Sequence, residues 1–438
     1  MPSLPDRGGV PDKTFMDMKH LIARGLILAA LLFATASCKA EDKTQAQPTP
    51  PDPTPSGPES GELYVKVQGE DCYISAKLSA EKDIVYWFKK CLFNELYTFY
   101  RVGVVTNPET APTRTPEAAP ELTLNLAFSD NIGPFAVENG GWCGANHSYK
   151  EGNKVRTAAN ESFSIQVDGQ PAGGSLARYA DEVRIDVQNV IYNPTRPTDS
   201  GGETRLEEPL CRETVVYTIR RNSIEVAVSH RFENDVPVTV VAYYGMQSMF
   251  NEETHTLTSG GAFPDWSVLD NSRFTKQEYP DFRRFVEKND KAFQSTFLLD
   301  EGLGDHSWIP AANTIFIGNS YGKNYHWLIA NKAVSEGVRI NWRGVYTWFV
   351  EPLADDAELL CYEGVVGGRT ALFIDAKSAC ERTMTLPEGY DLGGFELLDA
   401  NGGVEVSDSG AQQLRIRAPK AGGCVIQLKG LSEIPITD

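Results

Sequence analysis

Between Asn139 and Tyr149 the chain reads Asn-Gly-Gly-Trp-Cys-Gly-Ala-Asn-His-Ser-Tyr. Gly140, Gly141 and Gly144 permit tight turns and close approach of a ligand to the backbone. Trp142 offers a flat ring, Asn146 an amide, and His147 and Tyr149 two groups able to move a proton. An indole face stacks on the C–H groups of a sugar ring, and an amide hydrogen-bonds its hydroxyls. Elimination from a uronate needs three things: an amide or Arg to neutralise the carboxylate, a His or Tyr base, and a Tyr proton donor. His147, Tyr149 and Tyr243 are therefore the expected catalytic groups, and Trp142, Asn146, Gln247 and Arg231 the expected substrate contacts. The competing reading of the same window is a structural loop whose Trp and His plug the end of a β-sandwich.

Two further stretches carry the same chemistry. In Tyr243-Tyr244-Gly245-Met246-Gln247, strand alternation sets Tyr243 with Gln247 and Tyr244 with Met246. One pair should face the core or a cleft and the other the opposite side. His230 is in phase with an apolar face, which suits a hydrogen-bonded core histidine, and Arg231 lies on the other face. His147, His230 and Tyr243 converge only if the glycine-rich loop folds over that face. Residues 263–348 are rich in aromatics, among them Phe263, Trp266, Trp308, Tyr321, Tyr325, Trp327 and Trp342, with Asp265, His306, Asn324, His326 and Arg343 interleaved. Most of these rings are expected in the core. Arg273, Lys276, Arg283, Arg284, Lys288 and Lys291 form a locally basic segment that could receive an acidic sugar or simply be a solvated face.

The elements that must position these residues read as β-strands. In Ser223–Glu233, residues Ile224, Val226, Val228, His230 and Phe232 share one face, while Glu225, Ser229 and Arg231 share the other. Val183–Ile191 and Phe163–Val167 alternate in the same way. Thr214–Arg220 and Ile224–Phe232 flank a short turn, which predicts a hairpin. Further strands are expected at 63–68, 84–90, 96–105, 122–128, 236–247, 292–299, 313–318, 325–330, 337–349, 371–376, 393–399, 404–408, 413–417 and 423–428. Only Pro280–Lys288 has a helical pattern. The expected fold is all-β, a large antiparallel multi-stranded β-sandwich over 62–350, or two sandwiches in series, followed by a small C-terminal β-sandwich over 351–438.

The N-terminus carries an address. Lys19, His20 and Arg24 precede an apolar run, Leu26–Ala34, that is too short to span a bilayer. Thr35-Ala36-Ser37-Cys38 resembles a bacterial lipobox, which makes 1–37 a signal segment and Cys38 the lipidated residue. A plain signal peptide with an incidental cysteine is the alternative. The acidic pair after Lys39-Ala40 resembles the surface-export signal of Bacteroidetes lipoproteins. Residues 38–61 form a tether; its six prolines lie between 39 and 61. An extended Pro-rich segment of roughly twenty residues reaches about 60 Å. The expected location is the outer membrane at the cell surface, held only by an N-terminal lipid.

Seven cysteines follow Cys38, an odd number, so at least one thiol stays free or pairs with another chain. Cys72 with Cys91, and Cys361 with Cys380, are the expected close pairs. Neither CxxC, HExxH nor a Cys/His cluster of zinc spacing occurs, and nothing in the chain asks for a metal or other cofactor. Over 438 residues the net charge is −18, with 59 acidic against 41 basic side chains. That balance argues against a nucleic-acid partner.

The string Ile132-Gly133-Pro134-Phe135, then Gly140–His147, Arg156-Thr157-Ala158, Val167-Asp168-Gly169 and Ala242–Gln247, resembles an uncharacterised β-rich module of bacterial and phage surface proteins. Some of those proteins are fused to SGNH-type hydrolases, but this chain has no Gly-Asp-Ser nucleophile block, so that chemistry is not implied. A large sandwich followed by a small one is also similar, in architecture only, to polysaccharide lyases and other galactose-mutarotase-like glycan enzymes. Three classes remain open: a glycan-degrading enzyme (a lyase or glycosidase), a non-catalytic surface glycan-binding protein, and an adhesion protein.

Overall fold

The computed structural model describes residues 60–429 apart from 127–132, 151, 153, 251–254, 259–262, 264, 300–307, 320–321, 388–389, 391 and 411. The signal segment, Cys38, nearly all of the tether, His306 and Tyr321 lie outside the described residues. Every regular element among the described residues is a β-strand, and all strand pairs are antiparallel. The expected all-β fold of antiparallel sheets, with a small C-terminal set, is the fold observed.

A nine-stranded sheet is the centre of the molecule. Its order is His255–Thr258, Arg284–Lys288, Phe293–Leu298, Arg339–Phe349, Ser223–Phe232, Pro209–Arg220, Val183–Tyr192, Ala158–Val167 and Gln170–Pro171. The predicted hairpin is present, with Arg220 opposite Ser223 and Cys211 opposite Phe232. The alternation read from Ile224 to Phe232 is the burial pattern observed, with Arg231 exposed and His230 buried.

One face of this sheet is covered by two others. The six-stranded sheet runs Ser175–Ala180, Leu63–Gln68, Asp71–Lys77, Lys82–Cys91, Leu96–Thr106 and Leu122–Leu126. It meets the nine-stranded sheet through Tyr86 on Trp348 and Phe88 on Tyr217. The seven-stranded sheet runs Ser272–Thr275, Thr314–Asn319, Lys323–Ile329, Val238–Met249, Phe135–Val137 and Gly141–Cys143, with Lys332–Val334 also paired to Val238–Met249. Its inward side chains include Phe135 and Tyr243, which reach His230 and Trp342.

The opposite face of the nine-stranded sheet carries a C-terminal five-stranded sheet, of order Ala354–Asp355, Leu359–Val366, Arg369–Ala376, Gly422–Leu428 and Phe395–Asn401. Tyr362 stacks between Phe349 and Phe373, at 4.2 and 5.0 Å between ring centres. Leu359, Cys361, Leu372 and Ile374 then enclose a second core with Met384, Leu414 and Ile416 of the three-stranded sheet Cys380–Thr385, Gln413–Ala418 and Glu405–Asp408.

Three expectations are corrected. Pro280–Lys288 is not a helix; Arg284–Lys288 is a strand paired with both neighbours and buried on both faces, so charged residues at helical spacing are here the two sides of a covered strand. The cysteines from Cys72 onward are all free. Cys72 stands opposite Phe88, three residues away from Cys91, and Cys380 stands opposite Ala418 in a different sheet from Cys361. The strands Asp71–Lys77, Ser175–Ala180, Leu359–Val366 and Cys380–Thr385 were not among the expected ones.

Candidate functional site

The glycine-rich window begins as a hairpin. Phe135 pairs with Cys143 and Ala136 with Trp142, joined by a turn in which Asn139 takes φ +61° and Gly141 φ +86°. Beyond Cys143 the chain leaves the sheet and is knitted to the 91–96 hairpin. The Asn94 amide donates to the carbonyls of Ala145 (2.8 Å) and His147 (3.0 Å) and accepts from the Thr157 N–H (3.1 Å). The Asn146 amide oxygen accepts the Phe93 N–H at 3.0 Å, and Thr157 Oγ1 donates to the His147 carbonyl at 2.5 Å. The Asn146 amide is thus used in holding the loop. Tyr149 is buried, with the Lys150 ammonium 5.0 Å from its ring centre.

This anchoring presents Trp142 and His147 on the outer side of the seven-stranded sheet. Their rings stack at 5.1 Å, 21° apart. Ala136 and Ala242 lie in register with Trp142 on successive strands. Two residues this small leave room for the indole to reach across to Tyr244, at 4.6 Å between centres. Tyr244 in turn meets Tyr325 at 4.4 Å and Trp327, its register partner, at 5.5 Å. His147, Trp142, Tyr244 and Trp327 are all partly exposed, so the outer face carries a continuous row of rings. Burial pushes the Tyr325 hydroxyl far above its usual range, and the neighbouring Tyr244 adds to the rise.

Tyr243 points the other way. Its hydroxyl meets His230 Nδ1 at 2.8 Å and accepts from Trp342 Nε1 (3.0 Å). His230 Nε2 meets Glu213 Oε2 at 2.9 Å, and Asn189 donates to Glu213 Oε1 at 2.7 Å. This is a Tyr–His–Glu chain in which each polar atom has a partner, and such a network fixes a unique core arrangement. It is sealed: Tyr243 and His230 are fully buried, Phe135 stacks over the Tyr243 ring, and Gly133 sits directly above the hydroxyl. Burial drives the Tyr243 hydroxyl well above its ordinary range, with the Trp342 bond pulling weakly the other way.

The residues expected from sequence therefore do not meet in one place. Trp142 and His147 meet on the outer face. Tyr243 meets His230 in the core. Gln247 is buried, its carbonyl accepting the Tyr346 hydroxyl at 2.8 Å, and Arg231 is exposed on the far face of the nine-stranded sheet, paired with Glu233. Tyr244 and Trp327 were not among the expected contacts, nor was Glu213 in the core chain. Glu213 carried a usable signal, since it is in phase with Cys211, Val215, Tyr217 and Ile219 on an inward face.

A small pocket of about 210 Å³ adjoins the same turn, lined by Glu138, Asn139, Thr195, Arg196 and Val236 among others. Its guanidinium is engaged by Glu208 (2.8 Å) and Asp235 (3.0 Å).

No family model matches the sequence, and no curated protein does. The fold is distantly similar to carbohydrate-active enzymes. The galactosidase domain of an alpha-galactosidase-sucrose kinase matches at 9% identity and TM-score 0.35, over 64% of this chain and 41% of that one. The GH36 alpha-galactosidase AgaB from Geobacillus stearothermophilus matches at 9% and 0.33, over 67% and 40%. A mutant of heparan sulfate lyase HepC from Pedobacter heparinus matches at 9% and 0.29, over 74% and 42%. The chain thus spans about two-fifths of the length of these proteins.

Proposed function

We propose that this protein is a carbohydrate-binding surface lipoprotein whose contact face is the outer side of the seven-stranded sheet. One observation carries the reading: partly exposed rings from three separated segments, Trp142 with His147, Tyr244 and Trp327, form one unbroken row. Aromatic faces held rigidly by a sheet bind sugar rings with little loss of conformational freedom. In a panel of plant and host polysaccharides, affinity electrophoresis should retard the wild type on at least one. Trp142→Ala should weaken that binding by about 1–3 kcal/mol, by analogy with base–aromatic stacking. Unchanged mobility of the variant on the bound polysaccharide would remove the reading.

Glycan cleavage, by elimination or hydrolysis, is the second reading; its proton-transfer groups would be Tyr243, His230 and Glu213, which lie sealed in the core. It requires those groups to reach solvent, and turnover of a bound polysaccharide that Tyr243→Phe abolishes would support it.

The surface location rests on the sequence of the first sixty residues. Cys38→Ala is expected to abolish incorporation of a fatty-acid label and move the protein from the membrane to the soluble fraction. Retained labelling would exclude Cys38 as the anchor.

A further inference from the structure

Beyond the exposed rings the register runs through the buried Tyr325 and Ile317 to the exposed Arg273 at the edge of the sheet. Ile317 stands opposite Tyr325, and Arg273, on the edge strand Ser272–Thr275, stands opposite Ile317. From Gly141–Cys143 to that edge the sheet makes five interstrand steps. At about 4.8 Å per step, the strands of Trp142 and Arg273 lie roughly 24 Å apart, the reach of several sugar units.

The charges along the row are not those of the molecule as a whole. The chain carries −18, yet the groups beside Tyr325 are cationic. The Lys323 ammonium lies 5.8 Å from the Tyr325 ring centre, and Arg273 acts electrostatically on the Tyr325 hydroxyl. Arg273 is exposed and has no ion pair among the described residues. Other cations of the 273–291 segment are engaged: Arg284 with Asp375 and Lys288 with Asp355. The Asn319 side chain, which donates to the Lys323 carbonyl at 3.1 Å, also acts on the Tyr325 hydroxyl and keeps an amide on the same face. At physiological salt, charges more than about 8 Å away are strongly screened, so the local guanidinium outweighs the distant acidic surface. A guanidinium fork matches the geometry of a carboxylate or sulfate oxygen pair.

We infer that the row takes an anionic polysaccharide lying across the strands, with sugar faces on Trp142 and Tyr244 and a carboxylate or sulfate on Arg273. This rests on the ring face being the glycan-contact surface. The test is to measure affinities of the full chain for polygalacturonate, chondroitin sulfate and neutral dextran at low and high salt. Polygalacturonate or chondroitin sulfate should bind more tightly than dextran, and the preference should shrink with salt; binding of polygalacturonate shows that a carboxylate suffices, and binding of chondroitin sulfate without polygalacturonate points to the sulfate. Arg273→Ala should weaken anionic binding by about tenfold, the worth of one charge-assisted hydrogen bond, and leave any dextran binding unchanged. Trp142→Ala should weaken binding of every polysaccharide that the wild type takes. If Arg273→Ala binds the anionic chains as the wild type does, or dextran binds more tightly than either, the anionic inference is overturned while the ring-face reading stands. If none of the three binds, the anionic inference falls, and the ring-face reading falls with it only if the wider polysaccharide panel also shows no binding.

Discussion

Replacing Arg284 by Ala should lower the free energy of unfolding by about 3–5 kcal/mol, the usual cost of removing one partner from a buried ion pair. Arg284 belongs to the nine-stranded sheet, and it is fully buried. Its guanidinium donates to Asp375 Oδ2 (2.9 Å), to the Ile374 carbonyl (3.1 Å) and to the Tyr362 hydroxyl (3.3 Å), all on the five-stranded C-terminal sheet. Ser295 and Tyr362 close the network at 2.6 Å. Burial pushes the Asp375 carboxyl above its usual range, and Arg284 pulls it back most strongly, with Lys377 adding to that pull. Without the guanidinium, Asp375 must ionise alone in the interior or take up a proton, and the Ile374 carbonyl loses a donor. The double variant Arg284→Met with Asp375→Leu should recover most of the loss, because two apolar side chains of similar size leave no charge unpaired. Guanidinium-chloride unfolding of the three proteins decides the matter. A single variant within about 1 kcal/mol of the wild type would show that this pair does not hold the two sheets together.

The long strands with one face buried and the other wet were legible. Ser223–Phe232 is such a strand: its inward set was read correctly, His230 included, because neighbours on one chain suffice to show a period of two. Arg284–Lys288 was not legible for the opposite reason. Both of its faces are covered, and the groups that make Arg284 and Glu287 tolerable there, Asp375 and Ser248, are distant in the chain. The site was half legible. Trp142 and His147 stood out as a ring and an imidazole on a glycine-rich turn, but the ring row depends on Ala136 and Ala242 being small and on Tyr244 facing outward. The alternation that paired Tyr243 with Gln247 and Tyr244 with Met246 breaks at a bulge. Met246 takes φ +49° and the register shifts between Gly245 and Ser248, so Met246 and Gln247 are both buried. A bulge is set by cross-strand partners, which no single run of residues displays.

Glu287 should make the stability of the protein depend on pH in a way that Glu287→Gln removes. The carboxyl is fully buried in the nine-stranded sheet. It is bonded to Ser248 Oγ and accepts from Asn324 Nδ2 (2.9 Å); Gln294 donates to Ser248 at 2.5 Å, and Trp348 to Gln294 at 2.8 Å. Burial raises its pKa from 4.5 to about 8, and the two hydrogen bonds pull less strongly downward. The folded protein therefore holds this proton at neutral pH, whereas the unfolded chain releases it above 4.5. The sign follows: the stabilising contribution is complete below 4.5, is lost as pH rises towards 8, and changes little beyond that. Within the window the loss is on the order of 1.4 kcal/mol per pH unit. Glutamine has the shape of the protonated acid, can accept from Asn324 and donate to Ser248, and does not titrate. Denaturant midpoints measured across that range should fall for the wild type relative to Glu287→Gln, the gap widening with pH and levelling off above 8. Glu287→Ala, by contrast, should be less stable than either at low pH, since it leaves a void and strands the Asn324 donor. A constant gap between wild type and Glu287→Gln at every pH would mean that this carboxyl is ionised in the folded core, and the neutral-acid account of the network would have to be abandoned.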